Sequence, residues 1–346
     1  MTRGRGGGPF PSVIASAAKR SRTAARPALL DRHVAADAAP RDDGDEGPPK
    51  DSSDPIALPL CGCPLPEGPH SLALPLLGCP APGGREPDTE EVQALLRQDF
   101  HSFLVRAFAT LYGDDFVPGW HIEVLAGKLA AIRAGGKRLV VMIPPRHLKS
   151  LAASIALPAW LLGHDPRLQI VSATYAQDLS DAFARDCRAL MLSSWYKALF
   201  STRLRAARPP LRELVTTRGG FRLSTSVGGV LTGRGADVIV IDDPLKTADA
   251  MSATRRMGVN SWFDGTLMPR LNDKTKGSIV IVMQRLHDDD LVGHVVKGRG
   301  FEVVAFPAIA EEDETHVVET PTGEEIFTRR AQTTNAARHC SICSSA

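Results

Sequence analysis

A lysine and a serine in tandem, Lys149-Ser150, stand where one apolar run stops and another starts. An ammonium beside a hydroxyl at the mouth of a helix suits a nucleotide phosphate and its cation. Lys149 supplies a point charge, Ser150 an oxygen for Mg²⁺, and the helix N-terminus free N–H groups and a positive dipole end. The loop before them is Pro144-Pro145-Arg146-His147-Leu148. The usual pattern, G-x-x-x-x-G-K-[ST], wants glycine at the positions held here by Ile143 and Leu148. Taken alone, the segment reads equally well as a strand-to-helix turn with a surface lysine. The residues that would cradle a phosphate are Pro145, Arg146, His147, Leu148, Lys149 and Ser150.

Two adjacent carboxylates, Asp242 and Asp243, follow roughly ninety residues later at the end of a second apolar run. In a phosphate-loop NTPase the strand beside the loop carries an acid that holds Mg²⁺ through water. The next residue, usually Glu, polarises the attacking water. Asp242 fits the first role, with Ser150, as a metal residue, and Asp243 the second, one methylene short. An Asp-Asp-Pro turn closing a strand is the plainer reading of the same residues, but two such segments in the right order favour nucleotide chemistry. Gln284 ends a third apolar run and is placed to sense a γ-phosphate. Arg146 in the loop and Arg234 in the glycine-rich stretch Gly228–Gly235 are alternative cations for the charge that builds on that phosphate. His287-Asp288-Asp289-Asp290 reads as acids complementing the next helix dipole rather than as a site. Trp120 either stacks on a base, with His121 at its edge, or packs in the core.

These residues need a frame that converges them. Leu139–Ile143, 168–172, 237–242 and 278–283 are short, β-branched and almost continuously apolar, as strands covered on both faces must be. Helical spacing runs from Asp88 through Val92, Leu95, Leu96, Phe100, Phe103, Leu104 and Phe108, again towards Gly135-Gly136 after Trp120, then over 149–162 and 176–192. Residues 215–225 read as a hairpin turned at Gly219-Gly220. The alternation predicts an α/β fold, a mainly parallel sheet with flanking helices, with a ligand at the C-terminal strand ends.

Four segments together resemble the large terminase subunit of tailed bacteriophages. They are Pro-Pro-Arg-His-Leu-Lys-Ser150, Gly229-Val-Leu-Thr-Gly-Arg-Gly-Ala-Asp237, Val-Ile-Asp-Asp-Pro-Leu-Lys246 and Gln284-Arg-Leu-His-Asp-Asp-Asp-Leu-Val-Gly293. The likeness covers about residues 93 to 320 in family order. Gln284 and Leu286 depart from the Thr-Arg-Trp-His common there. The resemblance implies a P-loop NTPase-like ATPase domain over 88–310 that uses ATP and Mg²⁺ to move double-stranded DNA. It implies a small terminase subunit, portal and procapsid as partners, a homo-oligomeric ring when active, and the bacterial cytoplasm as its place. It also implies a nuclease domain after the motor. The stretch 311–346 is expected to be a truncated linker and tail, polar and turn-like, too short to cut DNA, which suggests a prophage-derived copy. Two alternatives stand beside the motor: an impaired remnant that only binds nucleotide or DNA, and a helicase-like nucleic-acid ATPase.

Composition narrows the rest. At 346 residues the chain has room for one large or two smaller domains. Lys plus Arg (41) nearly balances Asp plus Glu (39), so any grip on nucleic acid is local. No apolar run reaches membrane-spanning length, so no membrane partner is expected. Six cysteines do not make a disulfide scaffold in a chain of this size. Residues 1–87 are rich in Pro, Gly, Ala and Arg without period, and are expected to be a disordered extension. Their basic first thirty residues also have the composition of a transit peptide or a nucleic-acid arm. A near-duplication there carries Cys61, Cys63 and Cys79. His339, Cys340 and Cys343 in the tail lack a second pair for a metal.

Overall fold

The computed structural model describes residues 89–113, 116–205, 212–229, 231, 233–320 and 323–335. The expectations for residues 1–87, for the cysteines at 61, 63 and 79, for the tail from 336 on, and for Val230 and Thr232 fall outside the described residues.

The chain opens with helices α1 (Thr89–Gln98), α2 (Phe100–Tyr112) and α3 (Trp120–Ala130). The apolar spacing from Val92 to Phe108 is shared by two helices rather than one. Asp99 breaks it: its carboxylate accepts from the N–H groups of His101 and Ser102 and caps α2. Trp120 and His121 lie inside the first turn of α3, not ahead of it. Strand β1 (Arg138–Met142) then leads through the loop 143–148 into a helix that opens at Lys149-Ser150. That helix passes through a π-helical stretch, Leu151–Ala156, before α4 (Leu157–His164).

The elements β2 (Gln169–Thr174), α5 (Gln177–Leu192), α6 (Ser194–Leu199), β3 (Glu213–Val215), β4 (Phe221–Ser226), β5 (Val238–Asp242), α7 (Ala253–Trp262), β6 (Ser278–Met283), α8 (Leu291–Val296) and β7 (Glu302–Ala305) follow. One seven-stranded sheet results, in the order β3-β4-β2-β5-β6-β1-β7. Every pairing is parallel except β3 with β4, the expected hairpin. This is an α/β fold, a mainly parallel sheet with helices packed on both faces.

Alternation along the strands explains the unbroken apolar runs. Val141, Val240, Val280 and Val282 face a core built with α1 to α5. Val140, Ile239, Ile241, Ile279 and Ile281 face a second core with α7 and α8. Because both faces are covered, every residue of β5 and β6 is buried.

Two features differ from the reading of the sequence. The acid-bearing strand β5 is not beside β1, because β6 lies between them and pairs with both. The polar stretch after residue 313 is not turn-like: β8 (Glu314–Thr320) and β9 (Gly323–Arg329) form an antiparallel hairpin. Its inward positions are Glu314, His316 and Val318 on one strand and Glu325, Phe327 and Arg329 on the other, the less exposed residues of each. Most are polar, so no hydropathy alternation betrays the strands. Arg329 bonds Glu314 at 3.3 Å and the carbonyls of Pro307 and Thr333, and its guanidinium lies 5.6 Å over the Trp120 ring.

Candidate nucleotide site

All the parallel strands end on one side of the sheet, where open α/β folds place their ligands. The loop after β1 crosses that edge with two non-glycine residues in left-handed conformation, Arg146 at φ 64° and Leu148 at φ 58°. Leu148 therefore takes the backbone shape that the usual glycine would supply. That conformation costs an L-residue roughly 1–2 kcal/mol, offset here by packing of the half-buried leucine against the larger core. Pro145 and Arg146 are exposed, and His147 Nδ1 sits 2.8 Å from the Pro145 carbonyl.

Lys149 is buried to 6% exposure and its Nζ meets Asp243 Oδ2 at 2.6 Å. Asp243 also sits in left-handed backbone, at φ 41°. Aspartate and asparagine tolerate that region better than longer acids, which gives a physical reason for the shorter side chain. Its Oδ1 accepts from the backbone N–H of Gln284 at 3.2 Å, so β6 ties the acid to the loop. Asp242 is wholly buried. Burial raises its carboxyl to about 6, the neighbouring charge of Asp243 adding to this and the hydroxyls of Ser150 and Ser154 and the Lys149 ammonium opposing it. Ser154 Oγ donates to Asp242 Oδ2 at 2.9 Å, while Oδ1 is buried without a hydrogen-bond partner.

That orphaned oxygen, on a carboxyl that also feels the Ser150 hydroxyl, fits an outer-shell role toward a divalent cation. Among the described residues no three His, Cys, Asp or Glu side chains gather as a metal cage. A Mg²⁺ bound to nucleotide needs no such cage, because phosphates and water complete its shell. Asp243 and Gln284 also line an open cleft of about 280 Å³ with Tyr175, Leu245, Lys246 and Thr247.

The structure thus brings together Lys149, Ser150, Asp242, Asp243 and Gln284. It does not bring Arg234 to them. Arg234 pairs with Glu213 at 2.6 Å and lies 5.1 Å over the Phe221 ring. Phe221 opens β4, four places along the sheet from β1 and at the opposite end of the strands. Four strand spacings are about 19 Å, which corrects the placement of Arg234 at the nucleotide mouth. Arg146 stays in the loop. Trp120 is packed, 8% exposed, between Phe306 and His316 with ring centroids at 5.7 and 5.5 Å. Its neighbour His121 instead reaches the loop, edge-on to His147 at 5.2 Å. Asp290 is the N-cap of α8 and accepts from Gly293 N–H, and Asp288 and Asp289 precede the helix rather than occupying its first turn. Reading the sequence missed Ser154, which has no spacing signature inside an apolar run, and its buried neighbour Arg222.

No family model and no curated protein matches the chain. Among solved structures it is similar to the large terminase of bacteriophage HK97, with 12% identity and a TM-score of 0.40 over 62% of this chain and 44% of that one. It is similar to a Thermus phage large terminase ATPase domain at 17% identity, with a TM-score of 0.33 over 49% and 71%. It is also similar to yeast (S. cerevisiae) Dbp5 bound to Gle1, at 10% identity and a TM-score of 0.39 over 66% and 55%. The chain spans under half the length of the HK97 protein. No helix among the described residues is long and apolar enough to cross a membrane.

Proposed function

We propose that this chain is an Mg²⁺-dependent ATPase. From the resemblance of its four motifs we assign it as the motor domain of a phage-type large terminase. The observation that carries the ATPase reading is the meeting of Lys149, Ser150 and the Asp242-Asp243 pair at the strand ends. Lys149 neutralises the terminal phosphates, and the loop and helix N–H groups hold them in place. Ser150 and Asp242 are the residues that would hold Mg²⁺, whose chemistry is to neutralise charge shared by the β- and γ-phosphates. Phosphate competes for the Lys149 ammonium and so releases Asp243 Oδ2, which then accepts a hydrogen bond from the attacking water. The water oxygen bonds to the γ-phosphorus as the bond to the β–γ bridging oxygen breaks. ADP leaves with that electron pair, and the water proton passes through Asp243 to solvent. The work driven is translocation of double-stranded DNA by a ring of identical subunits, with a small terminase subunit, portal and procapsid.

The test is phosphate release from ATP by the purified chain, with Mg²⁺ and with EDTA. Turnover is expected only with the cation, and Lys149→Ala should lower it by about 100-fold or more, as loss of a charge stabilising the transition state does. A Lys149→Ala protein as fast as the parent would overturn the assignment.

A further inference from the structure

The carboxylate assigned to the metal shell is braced from behind by two side chains that no motif marks. Ser154 stands one turn past Ser150, 1% exposed, in the π-helical stretch. Its hydroxyl donates to Asp242 Oδ2 at 2.9 Å, and its backbone carbonyl accepts from Arg222 Nη2 at 2.9 Å. Arg222 lies on β4, fully buried, with its other arm on Ser224 Oγ and no carboxylate within ion-pair distance among the described residues. A buried guanidinium without a counter-charge is costly to the fold. A widened helical turn, though, departs from the regular i→i+4 ladder and is frequent at functional sites. Here the guanidinium serves that turn.

We infer that Ser154, held by Arg222, is a positioning residue that fixes one oxygen of Asp242 and so presents the other to the cation shell. This rests on the Mg²⁺-nucleotide reading above. The bond at Oδ2 restrains rotation of the carboxylate, and Oδ1, buried without a hydrogen-bond partner, is the atom left for the cation's water. Groups that orient a metal-shell carboxylate typically contribute 10- to 100-fold in metal affinity.

The experiment uses Mn²⁺ as the cation and ADP as the nucleotide, with free Mn²⁺ followed by electron paramagnetic resonance. ADP affinity in EDTA is measured alongside. Ser154→Ala is expected to weaken Mn²⁺ binding to the ADP complex about tenfold and to leave ADP affinity in EDTA unchanged. Arg222→Lys, which loses one of the two arms, should shift Mn²⁺ affinity the same way by less. If Ser154→Ala binds Mn²⁺ within about twofold of the parent, the positioning role is overturned while the nucleotide reading stands. An equal loss of ADP affinity in EDTA would likewise overturn it, by showing a general structural defect. A parent chain that binds neither ADP nor its Mn²⁺ complex would overturn both.

Discussion

At the scale of single residues, the site holds two carboxylates in opposite circumstances. Asp243 is paired with Lys149 at 2.6 Å, whereas Asp242 has one oxygen tethered and the other bare. On the proposed reading, a phosphate bound here has to take Lys149 from Asp243. Asp243→Asn removes that competitor and keeps a side chain that tolerates positive φ. With a part-exposed ion pair worth about 1 kcal/mol, ATP should bind the variant as tightly as the parent or up to about fivefold tighter. Turnover should fall about 100-fold or more, the usual weight of a group that handles the water proton. Asp242→Asn should instead weaken only the Mg²⁺-dependent part of nucleotide binding. Calorimetry with a non-hydrolysable ATP analogue, with and without Mg²⁺, separates the two. Equal losses of binding in both variants would refute the division of roles. Lys149, Ser150, Asp242 and Asp243 were legible in the sequence because their types and spacing are themselves the signal. Leu148 looked like a defect and is a glycine-like backbone position held by packing. Ser154 and Arg222 were invisible, because a serine in an apolar helix and an arginine in a strand announce nothing until the strand order sets them side by side.

At the scale of elements, the sequence located β1, β2, β5 and β6 within a residue or two, since burial on both faces forces continuous apolar runs; β7, exposed along its first half, carries no such run and was not read as a strand. The lateral order of the strands was not legible. Nothing in β6 says that it inserts between β1 and β5, yet that insertion puts the Gln284 N–H on Asp243. Helix α3 also gained a contact that spacing could not show, the edge-on meeting of His121 with His147 of the loop after β1. Burial first, and then the charge of His147, lower the His121 imidazole from 6.5 to about 4, the Arg329 charge acting the same way and the Asn335 carbonyl opposing it. A base whose folded value lies below its unfolded value binds fewer protons when folded. Stability from this group is complete above pH 6.5, declines as the pH falls towards 4, and stays lost below that. Melting temperature followed from pH 7.5 to 4.5 should therefore drop more steeply in the parent than in His121→Gln, which has no proton to gain. Parallel curves for the two proteins would show that the imidazole does not sit in this buried contact.

At the scale of the whole molecule, the β8–β9 hairpin is seated on the body of the fold through a contact that only a glycine permits. A Cβ at Gly127, in the middle of α3, would lie 1.9 Å from Val318 Cγ1 of β8. By helix propensity alone, alanine would be better than glycine there by about 1 kcal/mol. The clash outweighs that gain, because overpacking a filled site costs about 1–3 kcal/mol and Val318 is only 2% exposed. Gly127→Ala is thus expected to destabilise the chain in urea denaturation. Val318→Ala should cost about 1.5–3 kcal/mol from the lost methyls and the cavity they leave. In the double variant the new methyl at 127 fills the space vacated at 318, so the two losses should not add. The coupling should be about 1–2 kcal/mol in favour of the double variant, within the range measured for residues in contact. Should the losses add to within about 0.5 kcal/mol, as they do for distant sites, the hairpin would not be seated on α3. The packing of Trp120, Phe306 and His316 beneath it would then need another explanation.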